Sequence, residues 1–218
     1  MPTTSVDCKN LNLDAIRKMP LLRQPFDYCI IPNVLNADLC EAIHKDFPNI
    51  TTTGSFPIDR LEYGPAFRQL VSELTSKEFE TVVAEKFNLD LQSMPQMLTV
   101  RGWCGKSDGK IHTDSREKVI TVLLYLNETW TQEGGRLRIL RSKDLEDYAA
   151  EIPPLYGQLL LFRRCDYSFH AHHLCDGLRR SMQLNWVKTD RYRQFERFRH
   201  TFSSLFKRNK SDEDLYYG

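Results

Sequence analysis

The chain has 218 residues, of which 41% are hydrophobic and 27% are charged. These values are typical of a folded globular protein, and they exclude a disordered chain, a collagen-like fibre and a coiled coil. The 30 basic and 29 acidic residues give a net charge of +1. The overall charge therefore does not predict attraction to nucleic acid or to a membrane surface, and we expect no nucleic-acid partner.

The compartment is predicted from short apolar segments and from cysteine usage. The longest apolar run, Val119 to Leu126, is too short to span a bilayer, and the polar stretch Pro2 to Asn10 does not resemble a secretory signal. The six cysteines include no C-x-x-C pair. We expect reduced thiols and a cytoplasmic protein without an integral membrane segment. The oligomeric state is left open.

The first 95 residues predict mainly helices after a short strand at Tyr28 to Ile31. Asn36, Pro65 and Ser76 each occupy a position that favours the start of a helix. Apolar residues recur at helical spacing after each of the three, which indicates helices with one buried face.

From about Met97 the apolar residues alternate with a period of two, which predicts strands. Turn signals such as Gly134-Gly135 and Asp176-Gly177 separate these segments. Helices followed by a run of short strands predict an α+β fold with an antiparallel barrel or sandwich. The predicted strands are Met97–Trp103, Val119–Leu126, Arg136–Leu140, Gln158–Arg163 and Arg179–Val187.

We interpret residues 1–218 as a single domain with three parts. Residues 1–95 form a mainly helical support, residues 96–188 form the strand-rich core, and residues 189–218 form a C-terminal helix and tail. The segment Asp190 to Arg208 carries an aromatic stripe at helical spacing, and such a stripe usually packs on the protein's own sheet. A membrane-surface or interface role for this helix is the alternative.

The candidate chemistry begins at His112-Thr113-Asp114. On a strand, residues two apart point to the same side, so an imidazole and a carboxylate would lie next to each other. His170 follows a second apolar strand, and Arg179-Arg180 opens the last one. Two histidines and one carboxylate make the facial triad that binds non-haem Fe(II), and a nearby arginine can bind a carboxylate in bidentate fashion.

Together these segments resemble the Fe(II)- and 2-oxoglutarate-dependent dioxygenases, in particular the prolyl-hydroxylase-like branch. Several separate motifs occur in the order typical of that family, which makes the resemblance more specific than a lone H-x-D triplet. The matching segments are His112-Thr113-Asp114, Thr121 to Asn127, Trp130, Gly134 to Arg138, Gly157 to Phe162, His170 and Arg180.

The resemblance implies a double-stranded β-helix (jelly-roll) core with N-terminal support helices and a C-terminal helix. It implies that His112, Asp114 and His170 hold catalytic Fe(II), with 2-oxoglutarate as cosubstrate, O2 as oxidant and ascorbate as a candidate reductant. It also implies that the far carboxylate of 2-oxoglutarate meets an arginine and Tyr125, next to the apolar side chain of Leu137. The expected reaction is a hydroxylation that releases succinate and CO2.

Two points of the cosubstrate site depart from the family pattern or leave a choice. The branch usually has a tyrosine on the strand before H-x-D, where this chain has Arg101-Gly102-Trp103. Of the two arginines, Arg180 shares strand parity with the apolar residues of the last strand. If the apolar side faces the barrel interior, Arg180 binds 2-oxoglutarate and Arg179 points outward. Arg179 is the alternative.

The remaining histidines receive smaller roles. His172 has the parity to lie near His170 and line the pocket, whereas we expect His173 to face solvent. A zinc site built from Cys165, Cys175 and these histidines is not favoured, because the two cysteines are ten residues apart and structural zinc sites prefer closely spaced pairs.

The leading hypothesis is a hydroxylase for a small polar or anionic molecule, because basic residues outnumber acidic ones around the expected mouth of the site. A peptidyl prolyl hydroxylase is the alternative, and a catalytically silent jelly-roll module that binds or senses a ligand is the alternative from another class. Radical halogenation is disfavoured because Asp114 is present where that chemistry needs a small residue. The basic residues are Arg101, Lys110, Arg116 and Lys118.

Overall fold

The computed structural model describes residues 9–196. Four complete α-helices and nine strands are defined in this range, together with 3-10 turns at Ala37–Leu39 and Ile58–Arg60 and the helical residues 190–196. The helices are α1 (Leu13–Lys18), α2 (Cys40–Lys45), α3 (Pro65–Leu74) and α4 (Lys77–Phe87). The strands are β1 (Tyr28–Ile31), β2 (Phe56–Pro57), β3 (Gln96–Cys104), β4 (Lys118–Tyr125), β5 (Leu137–Leu140), β6 (Tyr148–Ile152), β7 (Leu159–Arg163), β8 (His170–Ala171) and β9 (Gly177–Val187).

The helix starts confirm the predictions from capping residues. The Ser76 side chain accepts a hydrogen bond from the Phe79 N–H at the start of α4, and Pro65 occupies the first turn of α3. Asn36 caps the 3-10 turn that leads into α2 by accepting from the Asp38 N–H. Each cap satisfies or removes a backbone donor that the first helical turn leaves unpaired.

The larger sheet contains six strands in the order β1-β7-β4-β9-β3-β2, and the pairs between them are antiparallel. Strand β9 lies between β4 and β3, with Thr121 opposite Asn185 and Tyr125 opposite Ser181. A register shift between Arg101 and Trp103 interrupts the pairing of β3 with β9. Strand β9 therefore connects β4 to β3 within the larger sheet.

The two faces of the larger sheet differ in polarity. One face is apolar and packs against the helices, where Trp186 of β9 stacks on Phe79 of α4 with ring centroids 6.3 Å apart. Met182 and Leu184 belong to the same buried cluster. Because side chains alternate along a strand, the residues between them point to the opposite face. That second face is turned away from the helices.

The smaller sheet has the strand order β6-β5-β8 and covers the second face of the larger one. A second apolar cluster joins the sheets, with Leu137 and Ile139 of β5 against Leu160 and Phe162 of β7. Two antiparallel sheets packed in this way make the predicted double-stranded β-helix (jelly roll), supported by helices on one side.

Three strands lie outside the predicted set. Strands β2 and β8 have two residues each, too few for an alternating pattern to be recognised. Strand β6 is half-buried along most of its length and shows no clear alternation. The five predicted strands are all present, with ends that differ by at most two residues.

Of the predicted C-terminal helix, residues 190–196 are helical. Phe195, the first residue of the predicted aromatic stripe, is exposed. The remaining stripe residues, from Phe198 to Phe206, lie outside the described residues. Within residues 9–196, the structure contains no helix with the length and apolar character needed to cross a membrane.

Candidate active site

His112, Asp114 and His170 come together at one end of the jelly roll. The backbones of His112 and His170 exchange two hydrogen bonds, N to O, of 3.2 and 3.0 Å, and their ring centroids are 4.3 Å apart. One ligand atom from each histidine and one oxygen of Asp114 lie within 4.8 Å of one another. The triad expected from the motif is therefore assembled by strand pairing between distant segments.

The two imidazoles are oriented by backbone carbonyls. The Nδ1 atom of His112 lies 2.7 Å from the Lys110 carbonyl oxygen, and the Nδ1 atom of His170 lies 3.1 Å from the Ser168 carbonyl oxygen. Because a carbonyl only accepts, each Nδ1 donates and each Nε2 keeps its lone pair for a metal. Burial lowers the pKa of His170 to about 4, so this ring is neutral near pH 7.

Both carboxylate oxygens of Asp114 are hydrogen-bonded. Lys118 Nζ donates to Oδ1 over 3.0 Å, and the Thr121 hydroxyl donates to Oδ2 over 2.5 Å. Burial by itself would raise the pKa of Asp114, but the charge of Lys118, the neighbouring His170 and these hydrogen bonds outweigh it. They hold the pKa of this carboxyl well below its usual range. Asp114 is therefore ionised, as metal binding requires.

A network of side-chain hydrogen bonds between β4 and β9 supports Asp114. The Asn185 side-chain amide donates to the Thr121 hydroxyl over 2.8 Å, and the Gln183 amide donates to the Asn185 side-chain oxygen over 3.0 Å. Thr121, Asn185 and Gln183 are not among the site residues predicted from the sequence. Each is a polar residue at a strand position that is expected to be buried, so each needs a hydrogen-bond partner. That partner can be identified only when the register between β4 and β9 is known.

We predict that Thr121→Val weakens Fe(II) binding by roughly 10- to 100-fold, the range typical when a hydrogen-bond partner of a metal ligand is lost. The valine keeps the branched shape but cannot donate to the Asp114 oxygen. An anaerobic Fe(II) titration measures the dissociation constant. Thr113→Val is the matched control, because it removes a hydroxyl next to Asp114 in sequence without touching this network. Equal Fe(II) affinity in the wild type and Thr121→Val would contradict the prediction.

A cavity of about 270 Å³ opens beside the triad on the polar face of β9. Tyr125 and Leu137, both predicted to contact 2-oxoglutarate, line it together with Arg179. The Arg179 Nη2 atom lies 3.4 Å from the Tyr125 hydroxyl, and its Nε donates to the Gly135 carbonyl over 2.9 Å. The guanidinium is buried and its position is set by these two contacts.

The preference for Arg180 over Arg179 as the inward arginine is wrong. The Arg180 guanidinium lies over the ring of Phe47 at 5.0 Å, on the helix side of the sheet, and its backbone N–H donates to Asn127. Arg180 would point inward only if the apolar face of β9 turned into the barrel. That face packs on the helices instead, so the alternate residues, Arg179 among them, line the cavity.

His172, His173 and Arg101 are the other residues near the site for which the sequence gives an expectation. His172 is buried and lines the cavity, as predicted. The His173 side chain is 47% exposed and pairs with Glu146, in agreement with a solvent-facing residue. Arg101, at the position where the branch usually has tyrosine, lines the same cavity, and its Nε donates to the Ser55 hydroxyl over 2.8 Å.

A second cavity of about 260 Å³ adjoins the triad on the side of the 190–196 helix. Arg101, His112 and Asp114 line both cavities, so the triad lies between them. Lys118 and Glu196 line the second cavity only. One space can thus receive a cosubstrate and the other a substrate, with the candidate metal ligands at their junction.

A jelly roll that brings two histidines and one carboxylate together in this way defines the class of non-haem Fe(II) oxygenases. Residues 100–188 match the family model of the 2OG-Fe(II) oxygenase superfamily. The protein is accordingly an Fe(II)- and 2-oxoglutarate-dependent dioxygenase that uses O2.

Solved structures with the same fold include two prolyl 4-hydroxylases. The Pseudomonas putida enzyme is 18% identical with a TM-score of 0.53, over 81% of this chain and 97% of that chain. The Phytophthora capsici enzyme is 14% identical with a TM-score of 0.56, over 83% and 63%. A 2OG-Fe(II) oxygenase family oxidoreductase from Burkholderia pseudomallei is 12% identical with a TM-score of 0.55, over 84% and 93%. No curated protein sequence matches the chain.

Proposed function

We propose that the protein hydroxylates an unactivated C–H bond of a small polar or anionic molecule, with 2-oxoglutarate as cosubstrate and release of succinate and CO2. The observation that carries this proposal is Arg101, a cation on the wall shared by the two cavities at the triad. The proposal has three parts, which concern the metal, the cosubstrate and the substrate.

The metal part assigns Fe(II) to His112, Asp114 and His170. When bound, Fe(II) supplies the activation of O2 for C–H oxidation. The chain supplies two imidazoles held by backbone carbonyls and one ionised carboxylate held by Lys118 and Thr121. The two-His, one-carboxylate donor set suits Fe(II) and leaves coordination positions for other ligands.

The cosubstrate part assigns the far carboxylate of 2-oxoglutarate to Arg179 and the hydroxyl of Tyr125. A buried guanidinium binds a carboxylate in a fixed plane, and its contact with the Gly135 carbonyl prevents it from turning away. Leu137 forms the apolar side of this pocket. These residues bind and orient the cosubstrate and keep water from it.

The substrate part rests on the charges of the second cavity. Arg101 and Lys118 are its cations and Asp114 and Glu196 are its acids, so an excess of positive charge arises once Asp114 binds a divalent metal. A cleft with an excess of one sign attracts ligands of the opposite sign. Of the other basic residues expected at the mouth, Lys110 lines the first cavity, and Arg116 is exposed and pairs with Asp166.

Turnover of 2-oxoglutarate provides the test. We expect small anionic or polar compounds, such as carboxylates, amino acids and anionic sugars, to accelerate succinate release, because a true substrate couples the reaction. We expect Arg101→Gln to raise the KM for the best compound by roughly 10-fold or more, since an ionic contact is lost. Arg116→Gln removes a cation that pairs outside the cavities and is the matched control.

A peptidyl prolyl hydroxylase is the second candidate, supported by the shared fold with two solved prolyl 4-hydroxylases. Proline-containing peptides therefore belong in the same panel. Stimulation by peptides alone would overturn the small-molecule proposal in favour of this one. Absence of any succinate release from iron-loaded protein would favour the silent binding module.

The five cysteines among residues 9–196 are free thiols, which supports the proposed cytoplasmic location.

A further inference from the structure

A second group of metal-binding side chains lies outside the triad. Cys104 ends β3, His172 follows β8, and Cys175 lies in the loop before β9. One sulfur from each cysteine and one ring nitrogen of His172 lie within 4.8 Å of one another. The three residues are 2%, 7% and 5% exposed. Two thiols and an imidazole that meet in a buried place are donors of the kind that zinc prefers.

The three donors are already oriented toward one another. The two thiols are close enough for each to influence the ionisation of the other. His172 Nδ1 lies 2.8 Å from the His173 carbonyl oxygen, so Nδ1 donates and Nε2 is the ring nitrogen that a metal can use. The same arrangement orients the two histidines of the triad. His172 is thus set as a metal ligand, although it does not belong to the triad.

The backbone around the group leaves little room for rearrangement. The His172 N–H donates to the Gly109 carbonyl over 3.0 Å, and a side chain at Gly109 would collide with the His172 ring. Gly135 has a φ of 77°, and a Cβ on it would lie 2.9 Å from the Cys175 sulfur. Glycine at both positions is what allows the imidazole and the thiol to occupy these places.

We propose that Cys104, His172 and Cys175 bind one Zn²⁺ ion, separate from the catalytic iron. Binding replaces the protons of the two thiols, which are released to solvent, and the two thiolates balance the charge of the ion. The fourth position of the tetrahedron is taken by a water molecule. Two thiolates and an imidazole favour zinc over the harder Fe(II), which suits the carboxylate-containing triad.

Bound zinc would hold together two segments of the wall of the cosubstrate cavity. The segment that carries His172 and Cys175 also packs on Gly134-Gly135, where the Gly135 N–H donates to the His173 carbonyl over 2.9 Å. Gly135 in turn accepts from Arg179. Zinc would therefore tie the end of β3 to the segment that positions Arg179.

Cobalt(II) is the probe for this site, because thiolate coordination gives a sulfur-to-cobalt charge-transfer absorption that the triad, which has no sulfur, cannot give. The full-length protein is reduced, stripped of metal and titrated with Co²⁺ under anaerobic conditions, and then with Zn²⁺. We expect one equivalent of Co²⁺ to produce the thiolate band and Zn²⁺ to abolish it. The band is expected to persist in His112→Ala, so failure of the iron site does not affect the result.

Cys104→Ser, Cys175→Ser and His172→Gln test the ligands one at a time. We expect loss of the band, or a shift to the spectrum of a single thiolate, in each cysteine variant. Cys165→Ser removes a nearby cysteine outside the group and is the matched control, with circular dichroism to verify folding. Absence of a thiolate band in folded, reduced wild-type protein would overturn the proposal. A Cys104–Cys175 disulfide whose reduction does not restore metal binding would also overturn it.

Discussion

Asp114→Ala is expected to abolish stoichiometric Fe(II) binding and, with it, turnover of 2-oxoglutarate. The change removes the only carboxylate of the triad and leaves the Lys118 cation, whose side chain is 12% exposed, without its partner next to two imidazoles. Loss of a direct ligand should exceed the roughly 10- to 100-fold effect of losing one of its hydrogen-bond partners. Metal analysis after anaerobic loading and dialysis measures the bound iron.

Asp166→Ala is a suitable control for this variant, because Asp166 is an exposed carboxylate that pairs with Arg116 and Arg164. Circular dichroism establishes that each variant is folded before iron is measured. One equivalent of iron in the Asp114→Ala protein, bound as tightly as in the wild type, would show that the metal lies elsewhere.

Arg179→Ala is expected to weaken 2-oxoglutarate binding far more than Arg180→Ala. Removal of one partner from a buried charge pair costs about 2–5 kcal/mol, which corresponds to roughly 30- to 4,000-fold in the dissociation constant. Arg180 lies over Phe47 on the helix side of the sheet, so its loss should affect stability rather than affinity. The metal-to-ligand absorption band that forms with anaerobic Fe(II) reports cosubstrate binding in each variant.

Arg179→Lys refines this comparison. Lysine retains the charge but cannot present two parallel donors to a carboxylate, so we expect an intermediate loss of affinity. Equal effects of Arg179→Ala and Arg180→Ala would contradict the assignment. A larger effect of Arg180→Ala would restore the expectation from strand parity.

The triad was predictable because it depends on local sequence and on few choices of pairing. His112 and Asp114 are two residues apart, and His170 follows a strand whose apolar run is unmistakable. The capping residues Asn36, Pro65 and Ser76 likewise act within one helical turn, so the local sequence is sufficient to place them. The fold class follows from the change of hydrophobic period near Met97.

The directions of Arg179 and Arg180 were mispredicted because the sequence does not say which layer covers which face of a strand. Met182, Leu184 and Trp186 indicate a buried face, but β9 is buried on both faces. The helices take the apolar face, and the polar face with Arg179 lines the cavity. Only the packing of the helical layer determines which face of β9 lines the cavity.

Groups of side chains from separate segments of the chain could not be predicted from the sequence either. Thr121 and Asn185 become partners only through the register of β4 with β9. Cys104 comes from β3, far in sequence from His172 and Cys175, and a zinc site was disfavoured because only Cys165 and Cys175 were compared. Long-range pairing supplies both groups, and residue spacing does not report it.

The most direct measurement is a crystal structure of the protein grown anaerobically with 2-oxoglutarate and Mn²⁺ as a redox-stable substitute for Fe(II). We expect Mn²⁺ bound to His112, Asp114 and His170, with the far carboxylate of 2-oxoglutarate paired to Arg179 and near the Tyr125 hydroxyl. A metal held by other residues, or a 2-oxoglutarate carboxylate bound away from Arg179, would contradict it.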